Sequence, residues 1–161
     1  MSRREDIDIG IWSDPDFAAL APDTKAGYIW SFTNSHCGMS GLYKLRYGTL
    51  AFELGVDRAR EDEIWRELGN FAYYEGGVVL VRTRVKHLRT RGHNMAVSIA
   101  SDVAKIDPRH PLRIRFLETY GSLQWLAPLL DPLRAEGDDA LNQALSENPS
   151  KGLPEGFSER A

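Results

Sequence analysis

The sequence predicts a mostly α (α+β) domain, and three features carry that expectation. Two helical stretches flank a glycine at Gly55, a hairpin with a glycine turn follows them directly, and a short alternating segment precedes them. A helix, tight turn and helix with a hairpin behind form a winged helix-turn-helix. The expected whole is that unit, with a three-stranded β-wing sheet and additional C-terminal helices.

Residues 1–10 are polar and are expected to form a flexible N-terminus. Ser13-Asp14-Pro15-Asp16 has the form of a helix start, because Asp caps free N–H groups and Pro fits the first turn. Ala21-Pro22-Asp23 opens a second helix, with Ala26, Ile29, Trp30 and Thr33 at helical spacing. Gly41–Leu45 alternates and reads as the first strand. Leu50, Ala51 and Leu54 precede Gly55, a good C-terminal stop. Asp57 then has the character of an N-cap for a helix with Ile64, Leu68 and Phe71 on one side.

Tyr73-Tyr74, Glu75-Gly76-Gly77 and Val78–Val81 make the hairpin, since paired glycines supply the positive φ of a tight turn. A helix over Asn94–Ile106 is expected to use Val97, Ala100, Val103 and Ala104. A further one over Pro111–Tyr120 uses Leu112, Phe116 and Leu117, and a weaker stretch near Leu123–Leu133 contains Pro128 and Pro132. The expected division is a winged-helix domain over 11–90, a helical extension over 91–134 and a disordered tail over 135–161, where small and charged residues dominate.

Charge is unevenly placed. The formal net charge is -3, yet residues 76–115 carry nine Lys and Arg against only Asp102 and Asp107. A local patch of that kind attracts phosphate even on a protein of negative total charge, because screening over about 8 Å isolates it from distant acids. Arg82, Arg84 and Lys86 alternate along a segment expected to be extended, which would put them on one face, and Arg89 and Arg91 continue the block. Lys44 and Arg46 flank the first strand. Arg58 and Arg60 begin the second helix of the pair, the element that in such motifs enters the major groove. That helix is also acidic: Asp57–Glu67 holds three basic and five acidic residues. These nine cations are the DNA-binding candidates. The alternative is a protein-contact scaffold that presents the acidic helix to a partner.

Catalytic chemistry has no clear signature. His36-Cys37 lacks further ligands at metal spacing, and no Gly-x-Gly-x-x-Gly or Walker pattern occurs. Neither an enzyme nor a cofactor is expected. Trp12, Trp30, Trp65 and Trp125 are expected in the core or at its edges. The single cysteine excludes a disulfide framework and suits a reducing cytoplasm. No apolar run approaches the roughly 20 residues that span a bilayer, so no membrane partner is expected.

The ordered pieces Ile11–Pro15, Leu20–Lys25, Thr33–His36, Ser40–Leu45 and Ala51–Val56 resemble the N-terminal winged-helix domain of phage replisome organisers and DnaD-like replication initiation proteins. Leu68-Gly69, Val78–Val81, Val85–Leu88, Lys105–Pro108 and Phe116–Gly121 follow in matching order, and the resemblance covers about residues 11–121. It implies DNA as partner, origin binding, recruitment of a replicative helicase or other replisome protein, and homo-oligomers. The same fold also serves transcriptional regulators and protein-interaction or oligomerisation modules, which stay open as alternatives.

Overall fold

The computed structural model describes residues 5–89 and 91–147. A 3₁₀ turn over Ile9–Ser13 leads into α1 (Pro15–Ala18) and α2 (Pro22–Thr33). Strand β1 (Leu42–Lys44), helices α3 (Thr49–Leu54) and α4 (Arg58–Glu67), and strands β2 (Ala72–Glu75) and β3 (Val78–Val81) complete the winged helix-turn-helix. Helices α5 (His93–Ala104), α6 (Pro111–Tyr120) and α7 (Ala127–Glu147) follow. The strands form one antiparallel sheet in the order β1-β3-β2, with Lys44 opposite Val78 and Leu42 opposite Leu80.

Local chemistry explains the boundaries. Asp14 Oδ1 accepts from the N–H groups of Asp16 and Phe17 at the start of α1. Asp57 Oδ1 accepts from Arg60 N at 2.7 Å at the start of α4. Gly76 and Gly77, at φ 53° and 78°, make the hairpin turn in a region that disfavours side chains bearing a Cβ.

β3 is buried along its whole length. Val79 and Val81 face a core built with Phe17, Tyr28, Trp30, Leu50, Ile64 and Leu68. Val78 and Leu80 face a second core, where α5, α6 and α7 contribute Ile99, Val103, Phe116, Leu126 and Leu130. The extension is therefore a helical layer against the opposite sheet face.

Several expectations change. Of the expected positions on α2, Trp30 is buried and Ile29 partly so, but Ala26 and Thr33 lie exposed, and Thr24, Gly27, Tyr28, Ser31 and Phe32 complete the buried face. Small and weakly polar residues allow this close helix packing, which apolar periodicity does not register. On α5 the core side is Ala96, Ile99 and Val103, and Val97 is 44% exposed. Trp12 is 61% exposed and only leans edge-on against Phe17. The expected tail at 135 meets α7, which continues through Pro132 to Glu147; residues 148–161 lie outside the described residues. The expected flexible start is held from Glu5 onward, because Glu5 pairs with Arg84 and Asp8 caps the first 3₁₀ turn. Residues 1–4 also lie outside the described residues. Among the described residues, no helix is long and apolar enough to cross a membrane.

The angle between α3 and α4 depends on a buried carboxylate. Glu61 is fully buried, and its Oε1 accepts from Gly48 N at 3.2 Å and Trp65 Nε1 at 3.3 Å. Its Oε2 accepts from Ala51 N at 3.2 Å, so both oxygens satisfy donors that the start of α3 leaves open. Glu61→Ala leaves these three donors without their acceptor, and urea unfolding should show a loss of at least about 3 kcal/mol. Glu61→Gln should lose less, since one acceptor oxygen survives. Asp62→Asn, on the exposed side, should stay within about 0.5 kcal/mol of wild type.

Candidate nucleic-acid interface

Eight of the nine candidate cations fall into two groups at opposite ends of the sheet, and Arg60 belongs to neither. Lys44 lies beside the hairpin tip, where Leu45 N donates to Gly77 O at 2.8 Å. Arg46 follows in the connection to α3. Arg58, in the first turn of α4, holds its guanidinium 5.9 Å from the Tyr47 ring centre. Lys44, Arg46 and Arg58 are all exposed, so the tip of the wing and the first turn of α4 present three cations together. Lys44 and Arg46 also line a cleft of about 390 Å³ between the hairpin turn and the α5–α6 loop, with Ile106, Asp107 and His110 on its far side.

The second group lies beyond the other end of β3. The extended face expected for Arg82, Arg84 and Lys86 does not form: the strand ends at Val81, and a turn leads into a 3₁₀ turn over Val85–His87. Tyr120 Oη donates to the Arg82 carbonyl and helps bend the chain there. Arg84 turns inward and pairs with Glu5 at 2.5 Å, with side-chain exposures of 10% and 11%. Arg89 pairs with Asp6 at 3.3 Å in solvent, a contact of little energetic weight. Lys86 and Arg91 are exposed. The N-terminal acids thus lie directly against this group.

Arg60 is committed elsewhere. Its Nε and Nη2 make a bidentate pair with Asp23 at 2.6 and 2.7 Å, and Nη1 reaches Glu63 and Glu67 at 2.8 Å each. Thr24 hydroxyl donates to Glu67 within the same cluster. Arg60 therefore ties α4 to the start of α2, and its fork has no geometry left for a base edge. The Arg60 guanidinium, chiefly by hydrogen bonding, holds the Asp23 carboxyl down at about 2 and also lowers that of Glu67.

The remainder of the basic block is equally dispersed. Arg113 is 1% exposed and donates to the carbonyls of Ile106 and Leu133 and to Glu136. Arg115 stacks 4.1 Å over the Tyr73 ring. Lys105 and Arg109 pair with Asp102 and Asp107. Neither Arg113's structural use nor the buried role of Glu61 leaves a pattern in the sequence, because most of their partners are backbone groups brought to them by tertiary packing. His36 is exposed and Cys37 buried; among the described residues, no three His, Cys, Asp or Glu side chains gather as a metal-ligand set.

The fold and these positions define a winged helix with exposed cations at both ends of the sheet, Lys44, Arg46 and Arg58 at the wing tip and Arg82, Lys86, Arg89 and Arg91 at the other. Comparisons with protein-family models, curated proteins and solved structures find no match.

Two outcomes follow from the committed charges. Arg84→Ala removes the guanidinium from a nearly closed ion pair, and urea unfolding should register a loss of about 3 kcal/mol, whereas Arg82→Ala should change stability little. Asp23 titrates in the folded protein at about 2, below its ordinary 3.8. Its stabilising effect is therefore full above about pH 4 and fades as the pH falls toward the folded value. The gap in urea midpoint between wild type and Asp23→Asn should shrink on acidification over that window.

Proposed function

We propose that the chain is a DNA-binding winged-helix protein acting in cytoplasmic, phage-type replication initiation, through origin binding or helicase recruitment. The observation that carries the binding half is the meeting of Lys44, Arg46 and Arg58 around the hairpin tip and the first turn of α4. In a helix-turn-helix the first residues of the second helix meet the duplex, and cations on the hairpin tip extend that positive surface toward the phosphates. The resemblance over residues 11–121 supports the replication half. Phosphate contact dominates this reading, because the outward residues of α4 include Asp62, Glu63 and Glu67, which oppose deep entry into the groove.

That acidic outward face, together with Phe52 at 87% exposure on α3, favours a second reading in which the helix pair is offered to a protein partner. Fluorescence anisotropy separates the two. Wild type should bind a short labelled duplex with an affinity that falls steeply from about 50 to about 200 mM salt. The Lys44→Ala/Arg46→Ala/Arg58→Ala triple variant should bind at least about tenfold more weakly, with a log–log salt slope shallower by about 2–3. An absence of binding to duplex and single strand at low salt would overturn the nucleic-acid reading and leave the protein-partner one.

A further inference from the structure

The cleft at the wing tip has one wall outside the winged helix. His110 lies in the loop between α5 and α6 and caps α6: its Nδ1 accepts from Leu112 N at 3.2 Å. With Nδ1 accepting, the ring proton of the neutral imidazole sits on Nε2. Nε2 faces the hairpin turn, for a Cβ placed on Gly76 would lie 3.0 Å from it. The loop that carries the ring is itself fixed, with His110 N donating to Asp107 O at 3.0 Å. Asp107 also lines the cleft, where its Oδ1 accepts from Arg109 N at 2.8 Å and pairs with the Arg109 guanidinium, which offsets its charge. Lys44 and Arg46 complete the cleft from the sheet side.

We propose that this cleft seats one backbone phosphate of the bound nucleic acid, held by Lys44 and Arg46 and oriented by the Nε2–H of His110. The seat presupposes the nucleic-acid reading above and extends its footprint from the wing onto the C-terminal helical layer. Lys and Arg supply charge; the ring supplies direction, because its donor is fixed by the cap on the opposite nitrogen. The two roles leave different signatures. A cation that neutralises a phosphate releases counterions and sets the salt slope, whereas a neutral donor releases none.

The test uses the whole chain and a short labelled duplex in anisotropy titrations across salt. His110→Asn keeps a side-chain acceptor for the α6 cap and removes the ring donor. It should weaken binding about ten- to a hundredfold, the effect of one hydrogen bond to a charged acceptor, with the salt slope unchanged. Lys44→Ala should weaken binding and make the slope shallower by about 0.9. His110→Ser supplies a second cap-preserving variant should the first fail to fold. In the unaltered protein, the histidine side-chain ¹H–¹⁵N spectrum should show the Nε2 signal of His110 shifting on addition of the duplex. Inorganic phosphate alone at matched ionic strength should shift it far less. Should both His110 variants bind within twofold of wild type while the triple alanine variant is impaired, the seat is wrong and the wing-tip reading stands. Should wild type bind no nucleic acid, both fall. An equal shift with inorganic phosphate would make the cleft a free-phosphate site and overturn the nucleic-acid assignment.

Discussion

Burial of β3 on both faces is the constraint on which the rest of the molecule depends. Val78, Val79, Leu80 and Val81 are each 4% exposed or less, although the sheet has only three strands. A small sheet with one open face would leave Val78 and Leu80 in water, and burying side chains of that kind contributes about 1.5–3 kcal/mol each. Helices α5–α7 cover that face. The cover brings the α5–α6 loop up to the hairpin tip, so the wing has a neighbour where a bare winged helix would have solvent. It also places Tyr120 against the far end of β3, where its hydroxyl engages the Arg82 carbonyl as the chain turns.

The buried charges serve the backbone. Glu61 holds donors of α3, Arg113 holds carbonyls of the α5–α6 loop and α7, and Glu5 with Arg84 closes the base of the sheet. Ion pairs of this kind add little net stability beside a well-packed apolar alternative, since desolvation offsets most of the attraction. What they provide is geometry: each joins segments far apart in sequence at a defined angle. Basic residues used in this way cannot also meet a ligand. Within the basic block only Arg84 and Arg113 are drawn inward in this way; its other cations stay exposed but dispersed, and the wing-tip cations Lys44, Arg46 and Arg58 come from outside the block.

Strand, hairpin and helix order were legible in the sequence because each rests on local chemistry: the Gly76-Gly77 turn, the Asp14 and Asp57 caps, the stop at Gly55. The unbroken Val78–Val81 run also carried a sign of two-sided burial, since a half-exposed strand alternates. The buried face of α2 was legible only at Trp30, because Thr24, Gly27 and Ser31 pack through smallness and hydrogen bonds. The face shared by Arg82, Arg84 and Lys86 was misread for a different reason. Alternation implies a common face only while the chain stays extended, and β3 stops at Val81. Likewise, the composition beyond Ala135 resembles a tail, but Leu133 and Glu136 belong to a helix that Arg113 anchors.

That anchor bears on how the polypeptide can be divided. A fragment ending near residue 134, where the amino-acid composition changes, would keep the Leu133 carbonyl but remove the carboxylate of Glu136 from a guanidinium with almost no access to water. The cation would then keep only carbonyl partners and no countercharge, in the layer that shields β3. A boundary drawn after the last turn of α7 avoids this, and shorter pieces chosen on composition alone would start with a fault in their interior.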